Sequence, residues 1–61
     1  MKKYRITHLG CGGEQVVLDR DIDIESSDLN GDFVELRDDD YNHVLVIASK
    51  LIISIIRIDD I

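Results

Sequence analysis

The sequence predicts an all-β domain, either a small five-stranded barrel or a strongly bent sheet, on three observations. Apolar and polar residues alternate with a period of two over residues 3–9 and again from Val16 to Ile24, the pattern of half-buried strands. Turn-forming clusters (Gly10-Cys11-Gly12-Gly13, Ser26 to Asp32, Asp38 to Asn42) separate the apolar runs at short intervals. The C-terminal third is dominated by isoleucine and valine, which pack well on a pleated surface and lose rotamer freedom in a helix. A length of 61 residues holds one domain, spanning residues 1–61.

The first predicted strand sets Tyr4, Ile6 and His8 on one side and Lys3, Arg5, Thr7 and Leu9 on the other. Glycine at positions 10, 12 and 13 ends it, since glycine adopts positive φ without steric cost. The second strand is the clearest pattern: Val16, Leu18, Ile22 and Ile24 alternate with Asp19, Asp21, Asp23 and Glu25. Arg20 is the one misfit on its inner face and marks an expected bend or bulge. Asn30-Gly31 is a strong turn signal before the third strand, Phe33 to Arg37. Val44 to Ala48 makes a fourth strand, and Ser49-Lys50 interrupts the run before a fifth from Leu51 to Ile58. A helix over residues 44–58 is the competing assignment, because Tyr41, Val44, Leu45, Ala48, Leu51, Ile52 and Ile55 also fall at helical spacing. Val46, Ile47, Ile53 and Ile56 lie off that face, which favours two strands.

Composition narrows the function classes. Seven basic residues against thirteen acidic ones give a formal charge of −6, a field that repels phosphate backbones and argues against direct nucleic-acid binding. The same field suits a protein partner with a basic surface. One cysteine, Cys11, excludes an internal disulfide and fits a reducing, cytoplasmic setting; the first residues carry no apolar leader pattern. The apolar stretch from Val44 to Ile58 is broken by Lys50 and Arg57 and is too short for a membrane-spanning helix, which needs about 20 residues. So small a chain is not expected to be an enzyme, and no cofactor motif is present.

The bent acidic strand Val16–Ile24, the hairpin from Phe33 to Val46, and Ala48-Ser49-Lys50-Leu51-Ile52 leading into a last apolar strand resemble the SH3-like small barrels, in particular the Sm-like variety. The resemblance covers most of the chain and is architectural. It implies copies joined along strand edges. It does not bring RNA binding with it, because only Lys50 and Arg57 stand near the last strands. Nothing before Lys3 could form the N-terminal helix that Sm-like proteins usually carry.

Four sets of residues are candidates for function. Between Val44 and Ile58 eleven of fifteen residues are apolar, more than so small an interior can hide. Burying a side chain of this kind is worth about 1.5–3 kcal/mol. With Leu45, Ile47, Ile53 and Ile55 taken as the outward set, a homo-oligomer interface is expected there. The carboxylates Asp19, Asp21, Asp23 and Glu25, with Asp38, Asp39 and Asp40 second, form the expected surface for a basic protein partner. In style the chain resembles small acidic phage-encoded proteins that block host factors. The alternative is an Sm-like oligomer holding a nucleotide or short RNA on the backbone of Gly10, Gly12 and Gly13. Metal binding is not expected. The Asp19-to-Asp23 spacing imitates a calcium loop, but Ile24 stands where glycine is required and Asn30 where the bidentate glutamate belongs. His8 and Cys11 have no second pair at zinc spacing.

Overall fold

The computed structural model describes residues 2–59. Five strands, β1 (Lys2–Leu9), β2 (Gln15–Asp28), β3 (Phe33–Arg37), β4 (His43–Ala48) and β5 (Ile52–Arg57), form one antiparallel sheet in the order β4-β3-β2-β1-β5. A single 3-10 turn, Ser49–Leu51, separates β4 from β5. The sheet is strongly bent and not closed, so β4 and β5 are its two edges. The C-terminal third is therefore two strands and not a helix. Among the described residues no helix is long and apolar enough to cross a membrane.

β2 makes the bend. Its first part pairs with β1 in unbroken register from Ile22 opposite Lys2 to Gln15 opposite Leu9. Its last part pairs with β3, with Asp23 opposite Arg37 and Asp28 opposite Glu35. Five steps along β2 thus match two along β3, and the excess residues fold the strand over. Side chains fix that fold. Asp23 accepts from the Ser26 hydroxyl at 2.7 Å and from the Glu25 N–H at 3.2 Å. Ser27 donates its hydroxyl to the Asp23 carbonyl at 2.8 Å and accepts the Arg37 N–H at 2.9 Å. The expected irregularity at Arg20 is not there: Arg20 sits opposite Tyr4 in regular register, and the bend lies three residues later. Ser26 to Asp28, read from the sequence as turn, is the end of the strand.

Folding β2 over brings two pairs of buried residues together. Ile6 and Ile22 come from one half of the sheet, Val34 and Leu36 from β3 in the other. Tyr4, Ile24, Val44, Leu45, Ile47, Ile52 and Ile55 pack around these four. The turns are closed locally. Gly13 takes φ +83°, which explains glycine there, and Gly10 donates to the Glu14 carbonyl at 2.7 Å. Asp38 caps the β3–β4 turn by accepting the N–H groups of Asp40 and Asn42 at 2.9 and 3.0 Å. That turn includes Tyr41 at φ 63°.

The outward apolar set differs from the expected one. Leu45, Ile47 and Ile55 pack inward against the core, and of the four only Ile53 is exposed. Two register shifts are the reason. On β4, Leu36 faces Leu45 but Arg37 faces His43, so Val44 is an extra residue and both Val44 and Leu45 lean on the core. On β5, Thr7 faces Ser54 but His8 faces Ile52, so Ile53 is extra. Inward positions then fall three apart at Ile52 and Ile55, and outward ones at Ile53 and Ile56. Strict alternation cannot foresee a bulge.

Candidate interaction surfaces

The fold sorts the charges. The half-sheet of residues 2–22 and 52–59 carries Lys2, Lys3, Arg5, Arg20 and Arg57 against Glu14, Asp19, Asp21 and Asp59, a balance of +1. The half from residue 23 to residue 51 carries Asp23, Glu25, Asp28, Asp32, Glu35, Asp38, Asp39 and Asp40 against Arg37 and Lys50, a balance of −6. The chain's net charge is therefore concentrated on one side of the bend in β2. Sequence order alone hints at this, but only the pairing places β5 beside β1 and turns two sequence segments into one mildly basic half.

The seven carboxylates expected to meet a partner divide by what they already do. Asp19 is held by Arg5 across the β1–β2 ladder, with Nε and Nη2 donating at 2.9 and 3.1 Å. The Arg5 hydrogen bond holds the Asp19 carboxyl below the usual carboxylate range and raises the guanidinium in turn. Asp23 is committed to the bend and Asp38 to the turn. Among the described residues Asp21, Glu25, Asp39 and Asp40 make no side-chain hydrogen bond or ion pair, and all four are exposed. These are the carboxylates available to a partner. Glu35, beside Val46 in the β3–β4 register, is already engaged by Arg37 at 2.8 Å and by the His43 ring at 3.0 Å. On the other half, Arg57 holds Asp59, whose carboxyl is pulled down by that hydrogen bond. Asp60, part of the C-terminal acidic pair, lies outside the described residues.

Both edge strands expose apolar side chains, as do Val17 on β2, Phe33 on β3 and the loop residues Leu29 and Tyr41. Val46 on β4 is 51% exposed, and Ile53 and Ile56 on β5 are 49% and 55% exposed. Ile56 sits opposite Arg5, so the row across the outer face reads Asp19, Arg5, Ile56. The next row is Val17, Thr7, Ser54, with Val17 exposed as well. The sequence signal for this pair was present in the repeated Ile-Ile at residues 52–53 and 55–56, three positions apart around Ser54.

The glycine turn is not vacant. The Glu14 side chain lies against Gly10 and Gly12, so an anion there would meet a carboxylate. The His8 ring faces its neighbour's carbonyl, Nδ1 at 3.0 Å from Leu9 O, and Cys11 is exposed. Among the described residues no three His, Cys, Asp or Glu side chains converge as a metal site. An open groove of about 440 Å³ lies at another place, lined by Gly31, Asp32, Phe33, Ala48, Ser49 and Lys50. It forms because Ser49 ties the 3-10 turn to the β2–β3 loop, its N–H to Asp32 O at 2.9 Å and its hydroxyl to Gly31 O at 2.6 Å. Comparison with protein-family models, curated proteins and solved structures finds no match.

Proposed function

We propose that this chain is a non-enzymatic acidic interaction module that joins copies of itself and binds a protein partner with a basic surface. The observation that carries the reading is the charge segregation. A −6 half with unpaired carboxylates at Glu25, Asp39 and Asp40 attracts cationic surfaces, while the +1 half lets like copies approach with little repulsion. Ile53 and Ile56 on the open β5 edge supply the apolar contact between copies. The biological role this supports is inhibition: the acidic half occupies the basic surface of a host defence or nucleic-acid-processing factor, as phage-type inhibitors do. The long bent β2, the strand order and the single 3-10 turn before β5 support an SH3-like or Sm-like reading of the fold. A nucleotide or RNA held at Gly10 to Gly13 is the weaker reading, because Glu14 places a carboxylate there.

Affinity capture with the wild-type protein and with a Glu25→Lys, Asp39→Lys, Asp40→Lys variant tests the partner. Proteins held by the wild type and lost by the variant should have basic surfaces and compete with polylysine. Equal capture by both proteins rejects the reading. Light scattering should give a mass above that of one 7.0 kDa chain. A single-chain mass at high concentration rejects the self-association.

A further inference from the structure

The β4 edge has an unusual setting for an open strand. Its six residues, His43–Ala48, carry an exposed Val46 at the centre and, among the described residues, no strand on the outer side. Edge strands are normally protected from pairing by lysine, proline or covering elements. Here, among the described residues, lysine, proline and a covering element are missing from β4 and the bulge at Val44 is the one such device, and acidic turns stand at both ends. Asp39 and Asp40 precede β4, and Asp32 is tied to Ser49 just after it. Lys50 is the one cation at that end.

Resting on the proposed binding of a basic protein, we infer that the partner contributes an extended segment that adds to β4 as a sixth strand. The segment has an aliphatic centre and lysine or arginine at both ends. Main-chain N–H and C=O groups of β4 provide the ladder, and Val46 gives the contact for the aliphatic centre. A six-residue strand spans roughly 17 Å at about 3.3 Å per residue, so the flanking cations belong five or six residues apart. A second copy is disfavoured at β4 in the β4-to-β4 arrangement, which would bring two −6 halves together.

The probe is a synthetic peptide, Lys-Lys-Val-Thr-Val-Thr-Val-Lys-Lys, compared with a version whose central valine is proline and one whose lysines are glutamates. Proline removes a ladder donor while leaving the charge unchanged. The lysine peptide should bind the intact protein, weaken as salt rises, and slow amide exchange over residues 43–48 but not over 52–57. The proline version should bind at least about tenfold more weakly, a difference of ~1.4 kcal/mol, and the glutamate version not at all. Equal binding of the lysine and proline peptides overturns strand addition while leaving attraction of basic partners standing. Protection of residues 43–48 by increasing protein concentration alone, without peptide, also overturns it, because β4 is then taken by a second copy. Failure of the lysine peptide to bind even at low salt removes both the strand addition and the basic-partner reading beneath it.

Discussion

The two halves of the sheet contribute alike to the interior and differently to the surface. Each supplies two of the four buried residues, Ile6 and Ile22 on one side, Val34 and Leu36 on the other. Neither half has a second layer of its own, so neither can bury its pair without the other. Outside, the β1–β5 half is mildly basic with its carboxylates Asp19 and Asp59 held by arginines, whereas the β3–β4 half gathers −6 and leaves Asp39 and Asp40 unpaired. The difference teaches that in so small a domain the core must be shared, while charge and edge chemistry are free to diverge. On the function proposed above, one half recruits the partner and the other the second copy.

The shared core is the part whose loss erases the comparison altogether. Leu36→Ala or Ile22→Ala should cost about 2–5 kcal/mol, comparable to the whole stability of a domain this size. Both variants should lose cooperative thermal unfolding, and equal damage from either half is the expected sign of a single core. If one variant melts as the wild type does, its half is not part of that core. Next in size is the β5 surface. Ile53→Lys with Ile56→Lys should leave the melting curve close to wild type, since both side chains are half exposed, yet reduce the mass in light scattering to one chain. Leu45→Lys, by contrast, should unfold the protein, because that side chain packs on the core. A variant pair that behaves the other way round would return the inward and outward assignments to those expected from alternation.

That reversal shows where legibility stopped. Strand existence was readable because period two and turn chemistry are local: β3 was bounded at Phe33 and Arg37, and the glycine turn and the break at Ser49 stand where they were expected. The position of the bend was not, because Arg20 looks like a misfit but its guanidinium simply reaches out and donates to the Asp19 carbonyl at 2.9 Å. The true bend is made by Asp23, Ser26 and Ser27, small polar residues that read as ordinary turn formers until Arg37 is known to lie beside them. Likewise the acidic strand was visible, but not that Asp19 and Asp23 have intramolecular work: the partner of Asp19 is 14 residues away, and those of Asp23, two and three residues on, meet its carboxylate where the strand folds over. Bulges and cross-strand ion pairs depend on register, which no single strand encodes.

A smaller effect sharpens the junction between the halves. Ser27→Ala removes the hydroxyl that accepts the Arg37 N–H and donates to the Asp23 carbonyl. Leaving those groups to other partners should cost about 1 kcal/mol, seen as a lower urea midpoint with an unchanged slope. Ser26→Ala, whose hydroxyl meets only the Asp23 carboxylate, should cost less. Equal costs would mean the bend is held by the carboxylate rather than by the bridge to β3.

The smallest effect separates the halves by pH. The Asp19 carboxyl is held below its ordinary value chiefly by the Arg5 hydrogen bond, and Asp59 likewise by Arg57. A carboxylate whose folded pKa is depressed binds fewer protons in the folded state than in the unfolded one. Its contribution is therefore complete above the unfolded value of about 3.9 and disappears as pH falls through the lower folded value. Both pairs are solvent-exposed, so screening keeps the contribution small. Asp19→Asn should flatten part of the fall in melting temperature below about pH 4, and Arg5→Gln should flatten it by the same amount. The double variant should add nothing further, because the two residues act as one pair. Additive effects of the two substitutions would show that Arg5 and Asp19 act separately, and that the basic half owes its acid response to other contacts.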